Sequence, residues 1–143
     1  MKITHVEKRE AASFLPLPFF ASSVPAGFPS PADDYIEGSL DLNEYLIRHP
    51  SSTYFARATG DSMVERGIMD KALLIVDRAV EPRQGQVVIA VVNGELTCKI
   101  LDIQNKKLLA ASPAYAPVSI TEDSDLLIEG VVIHVINTLS PYW

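Results

Sequence analysis

The stretch Gln86-Val87-Val88-Ile89-Ala90-Val91-Val92-Asn93-Gly94-Glu95-Leu96-Thr97-Cys98-Lys99-Ile100-Leu101 decides the fold. Two apolar, β-branched runs flank Asn93-Gly94, whose residues both tolerate positive φ, and that combination is the strongest short-range hairpin signal a sequence carries. A period of two in the second run sets Glu95, Thr97 and Lys99 on one face and Leu96, Cys98 and Ile100 on the other. Working outward, Thr53–Thr59, Ala72–Asp77, Lys107–Ala111 and Leu126–Ile136 read as further strands, the last interrupted by Gly130. The fold class is therefore mostly β, a twisted and partly closed sheet.

One short helix is expected in Asp41-Leu42-Asn43-Glu44-Tyr45-Leu46-Ile47-Arg48-His49-Pro50. Asp41 stands as N-cap, Glu44 completes a capping-box arrangement, Leu42, Tyr45 and Leu46 share a face, and Pro50 ends it. Residues 1–31 differ in character, because half of the ten prolines fall there. Proline fixes φ and removes a donor, so this segment reads as an extended arm without regular structure. Phe14, Leu15, Leu17, Phe19, Phe20 and Phe28 suit an arm that docks on a surface. The division is thus 1–31 as arm and 32–143 as a β-rich domain.

A chain of 143 residues has room for one core. Its formal net charge of −6, with lysines and arginines scattered, argues against direct sequence-specific DNA binding, which needs a basic face. The single cysteine, Cys98, permits no internal disulfide and no multi-cysteine zinc site. No metal or cofactor is expected, and Cys98 reads as a small buried hydrophobe. The apolar runs fall far short of the roughly 20 residues that span a bilayer, and the first residues lack a secretory signal. A cytoplasmic protein with no membrane association is the expectation.

Twelve serines are present, so serine content alone selects no nucleophile. Ser62 differs in its setting, Thr59-Gly60-Asp61-Ser62-Met63, where a strand ends at a glycine that permits a tight turn. A serine presented there has backbone N–H groups nearby to face a developing oxyanion. It needs a base. His5, His49 and His134 are available, but no aspartate is placed by sequence to orient any of them. Lys99 is the other option. A lysine accepts a proton only when desolvated, which lowers such a group by as much as ~3–5 units when burial is complete. Thr97, on the same face, is positioned to hold the amine.

Several blocks in order resemble the UmuD family of SOS mutagenesis proteins, relatives of the self-cleaving LexA-type repressors. They are Ala26-Gly27-Phe28-Pro29-Ser30-Pro31, Ser51-Ser52-Thr53-Tyr54-Phe55, Gly60-Asp61-Ser62-Met63, Leu73-Leu74-Ile75-Val76-Asp77 and Gly130-Val131-Val132-Ile133-His134. The resemblance runs from about Phe19 to His134. It implies a fold of the LexA C-terminal type, Ser62 as nucleophile, Lys99 as general base, and a scissile bond between Ala26 and Gly27. Together with the residue reading, this places the oxyanion hole at the backbone N–H groups of Ser62 and Met63, with Gly60 and Thr97 in support.

It also implies stimulation by a RecA filament on single-stranded DNA, a homodimer, and a shortened product that joins a Y-family DNA polymerase catalytic subunit of the UmuC type. The alternative reading is a non-catalytic interaction module that regulates such a polymerase. The chain departs from the family pattern at Gly67-Ile68-Met69-Asp70-Lys71-Ala72, which lacks a second glycine, and at Pro25, beside the expected cut. A LexA-type repressor's helix-turn-helix domain has no counterpart in these residues.

Overall fold

The computed structural model of the protein describes residues 1–8, 13–20, 36–121 and 126–140. Two compact units are present, Met1–Arg9 with His49–Trp143, and Glu10–Arg48. In the larger unit, β1 (Lys2–Lys8), β4 (Thr53–Thr59), β5 (Leu73–Asp77), β10 (Leu126–Ile136), β6 (Val87–Val92), β7 (Glu95–Asp102), β8 (Lys107–Leu109) and β9 (Val118–Ser119) form one sheet in that order. Neighbouring strands are antiparallel, and β1 also pairs with β7 through Lys2 and Thr97. That contact closes the first six strands into a barrel-like ring. The expected mostly-β, partly closed sheet is present.

The Asn93-Gly94 hairpin forms as its chemistry dictates: φ is 51° at Asn93 and 82° at Gly94, and Val92 faces Glu95 across the turn. Alternation then sorts the side chains between two cores. Leu96, Cys98 and Ile100 join Ala56, Met63, Leu74 and Ile89 in one, while Leu101 joins Val88, Ala90, Leu108 and Val131 in the other. Both faces of β6 are therefore buried, and this accounts for its unbroken apolar run, since a strand covered on both sides has no solvent face to mark with polar residues.

The expectation that residues 1–31 lack regular structure is corrected at two places. Lys2–Lys8 is a strand of the main sheet, and Pro16–Phe20 (β2) pairs with Ile36–Asp41 (β3) in the smaller unit. Lys2–Lys8 contains no proline, so nothing in it opposes a ladder. In β2, Pro16 and Pro18 stand two apart, so both missing N–H groups fall on one edge of the strand, an arrangement an edge strand tolerates.

The helix is shorter than its pattern suggests. It covers Leu42–Leu46 (α1), because Ile47 has already turned extended at φ −118° and ψ 107°. Asp41 stands at the N-cap but makes no side-chain cap bond; its carboxylate instead accepts the Leu15 N–H at 3.4 Å. Leu42 and Tyr45 are 55% and 62% exposed, so the apolar face drawn from the sequence is not buried.

Candidate functional site

Ser62 lies on the loop that follows β4, and the loop is fixed by the residue types around it. Gly60 takes φ +104°, a conformation that side-chain-bearing residues rarely adopt, and its N–H donates to Asp70 Oδ1 at 2.8 Å. Tyr115 donates its hydroxyl to Asp61 Oδ1 at 2.6 Å, which raises the Tyr115 pKa above 10.0 because ionisation would break that bond. Ala111 clamps the turn from the other side: its N–H donates to the Ser62 carbonyl at 2.7 Å, and its carbonyl accepts from the Glu65 N–H at 3.0 Å. Met63 anchors the loop in the first core and is fully buried. Ser62 itself is 3% exposed.

The adjoining loop carries a non-glycine residue in a left-handed conformation. Lys71 takes φ 67°, the left-handed conformation that a glycine adopts without strain, while its N–H donates to the Ala58 carbonyl at 2.9 Å. The loop thus keeps its course at a residue ill suited to it.

The immediate partner of Ser62 was not foreseen. The Met1 α-amine donates to Ser62 Oγ at 2.5 Å, and the Met1 carbonyl accepts from the Cys98 N–H at 2.8 Å. Met1 therefore sits between Ser62 and the backbone of β7, one residue from Lys99. Burial, foremost, and the neighbouring Lys99 charge, second, hold the amine below its ordinary value of 8.0; Cys98, Glu95 and Asp61 act in the opposite sense. Lys99 is half-buried, opposite Val88 in the β6–β7 ladder. Thr97 donates its hydroxyl to the Ala90 carbonyl at 3.3 Å. Cys98 is buried, as its strand phase predicts, and burial pushes its thiol up to about 12. The expected cut at Ala26-Gly27 lies outside the described residues.

Sequence reasoning also missed a histidine–carboxylate pair. His49 Nδ1 lies 2.6 Å from Asp77 Oδ2, and Asp77 also accepts from Ser52 Oγ at 3.3 Å and the Ala79 N–H at 2.8 Å. Asp77 is 1% exposed. Burial alone would raise its pKa, but the bonds from His49 and Ala79 outweigh it and hold the carboxyl below 3.8. The pair faces Thr53, the first residue of β4, whereas Ser62 follows the last; seven residues at about 3.3 Å each put about 20 Å between them. His49 and Asp77 therefore form a structural clasp and do not serve Ser62. A surface cavity lined by Ser52, Tyr54, Arg78 and Glu129 belongs to the clasp end, and neither Ser62 nor Lys99 lines it. Among the described residues, no group of three or more His, Cys, Asp or Glu side chains is arranged to hold a metal ion, and no helix is long and apolar enough to cross a membrane.

Comparison with known proteins gives this arrangement a family. Residues 18–133 match the family described as Peptidase S24-like. Protein ImpA of Salmonella typhimurium is 46% identical over 126 residues, covering 84% of this chain and 83% of its own length. Protein MucA of Escherichia coli is 37% identical over 136 residues, 94% of this chain and 93% of its own. LexA repressor 1 of Pseudomonas syringae pv. tomato is 37% identical over 140 residues, 96% of this chain and 67% of its own. With a pinned, buried serine at the end of β4 and these similarities along most of its length, the chain belongs to the Peptidase S24-like family of self-cleaving serine peptidases, on its UmuD branch.

Proposed function

We propose that this protein cuts its own chain between Ala26 and Gly27 with a Ser62–Lys99 dyad, as a mediator of SOS mutagenesis. The observation that supports it best is Met1: one residue bonds to Ser62 through its nitrogen and to the N–H of Cys98 through its carbonyl. A chain laid there passes the serine and the neighbour of Lys99 together.

In the reaction, neutral Lys99 takes the hydroxyl proton as Ser62 Oγ attacks the Ala26 carbonyl. The backbone N–H groups of Ser62 and Met63 stabilise the oxyanion. The C–N bond breaks, the proton passes to the departing Gly27 amine, and water hydrolyses the Ala26 ester. Gly60 lets the backbone turn tightly into the site, and Thr97 helps orient the strand that carries Lys99. Ala26 and Gly27 are small and Pro25 is already extended, so the segment enters a narrow site readily.

Cleavage is stimulated by RecA filaments on single-stranded DNA. The shortened protein, a homodimer in the cytoplasm, then serves a Y-family polymerase subunit of the UmuC type. The test is mass spectrometry of purified protein at alkaline pH and with RecA filaments. A cut at Ala26-Gly27 is expected, lost in Ser62→Ala and in Lys99→Ala by at least ~10³-fold. No cut under either condition sinks the reading and favours the non-catalytic module; a Lys99→Ala protein that still cuts removes lysine from the mechanism.

A further inference from the structure

The slot between β4 and β7 is filled by a segment of the chain that the cleavage reaction does not use. β1 pairs with β4 from Lys2 opposite Thr59 to Lys8 opposite Tyr54, with an irregularity between Ile3 and His5, and it reaches β7 at Lys2 and Thr97. Its hold is uneven. Met1 is buried and Ile3 packs against the first core, but Lys2, Thr4, His5 and Val6 are exposed, and the Lys2–Glu95 ion pair lies in solvent at 3.7 Å. Exposed ion pairs of this kind contribute little.

A peptide bond about to be attacked must bring its carbonyl carbon to about 3–3.5 Å from the nucleophile. The Met1 nitrogen already stands 2.5 Å from Ser62 Oγ, and the Cys98 N–H, a donor that an incoming strand would use, is taken by the Met1 carbonyl. Two chains cannot occupy that space.

We propose that the β4–β7 slot is a strand-binding site shared in turn by the chain's own Met1–Lys8 and by the Ala26-Gly27 segment, so that docked β1 keeps Ser62 closed and its release opens the site. This rests on the cleavage reading above for its second occupant. The first occupant, and the closure of Ser62, stand on the pairing alone.

The test locks β1 reversibly in the full chain. His5 and Arg57 are exposed and directly paired, a juxtaposition that suits a cross-strand disulfide in His5→Cys/Arg57→Cys. Two rates are followed in oxidised and reduced protein: the cut at Ala26-Gly27 at alkaline pH, and phosphonylation of Ser62 by a fluorophosphonate probe. Both are expected to be at least ~10-fold slower when oxidised and to recover on reduction, a factor of about 1.4 kcal/mol in barrier. Equal labelling in the two redox states overturns the proposal, as does a failure to label any form.

A second variant, Ile3→Asp, undocks the strand by setting a charge against the core. With near-UV circular dichroism unchanged, it is expected to label at least ~10-fold faster than the parent, and an unchanged rate overturns the proposal. Redox-dependent labelling without any cut at Ala26-Gly27 would remove the cleavage reading and leave β1 as the gate of Ser62.

Discussion

The two ends of β4 each carry a buried polar group, and the two are satisfied in different ways. At the Thr53 end, Asp77 takes bonds from His49, Ser52 and the Ala79 N–H, all within a few residues of the strands they brace. At the Thr59 end, Ser62 takes its bond from Met1, which leads into a strand whose Lys2, Thr4, His5 and Val6 are exposed. A buried group with several local donors is fixed in place. A buried group whose donor arrives on a separable segment can change partners. The difference marks one end as scaffold and the other as candidate site, although both look alike when judged by burial alone.

The sharpest way to break the scaffold end is Gly130→Ala. Gly130 has φ +147°, and an added Cβ would lie 2.6 Å from Val76 Cγ1 and 3.3 Å from the Asp77 carbonyl. Overpacking and a strained φ together are expected to cost roughly 2–4 kcal/mol in a urea melt. Any cleavage activity per folded molecule should be unchanged, since the damage falls at the far end of β4.

Removing the carboxylate tests the same end more gently. Asp77→Ala leaves His49, Ser52 and the Ala79 N–H without their acceptor, and about 1–3 kcal/mol of stability should be lost at neutral pH. The sign with pH follows from the lowered carboxyl. The stabilisation by Asp77 is fully present above 3.8 and disappears as pH falls through the lower folded-state value. Parent and variant should therefore converge in acid. Curves that stay parallel down to the lowest measurable pH would mean that the carboxylate charge plays no part in the clasp.

The smallest effect belongs to the Ser62 end. Lys71→Gly relieves a left-handed lysine at φ 67° while adding backbone freedom to the unfolded chain. These oppose each other, and the net change should lie within about 1 kcal/mol, read from the thermal midpoint. A larger loss would show that the Lys71 side chain braces the loop.

How far the sequence announces these features depends on how local their causes are. The Asn93-Gly94 turn, the buried phase of Cys98 and the unbroken run of β6 are written in neighbouring residues, and all three stand in the structure. The Gly60 turn before Ser62 is equally local. By contrast, Lys2–Lys8 carries a weak apolar alternation, and its partners lie some fifty and ninety residues away, so no short window contains the reason for it. The clasp escaped for the same reason: His49 and Asp77 meet only because β4 and β5 pair. The candidate site was therefore half legible. Its serine and lysine stood out by setting and resemblance, while the residue lying against that serine had no local signature.

The closure of the ring by β1 has a consequence for synthesis. During translation Lys2–Lys8 emerges ahead of its partners, finds β4 some fifty residues later, and must wait for Thr97 and Cys98 before its other edge is occupied. Pairing across such separations is slow to form. The loop bearing Ser62 waits longer still, because its clamps, the Ala111 backbone and the Tyr115 hydroxyl, follow Lys99 in the chain. In a growing chain, the serine is therefore fixed only after the slot around it has formed, and the same late pairing that completes the barrel also covers it.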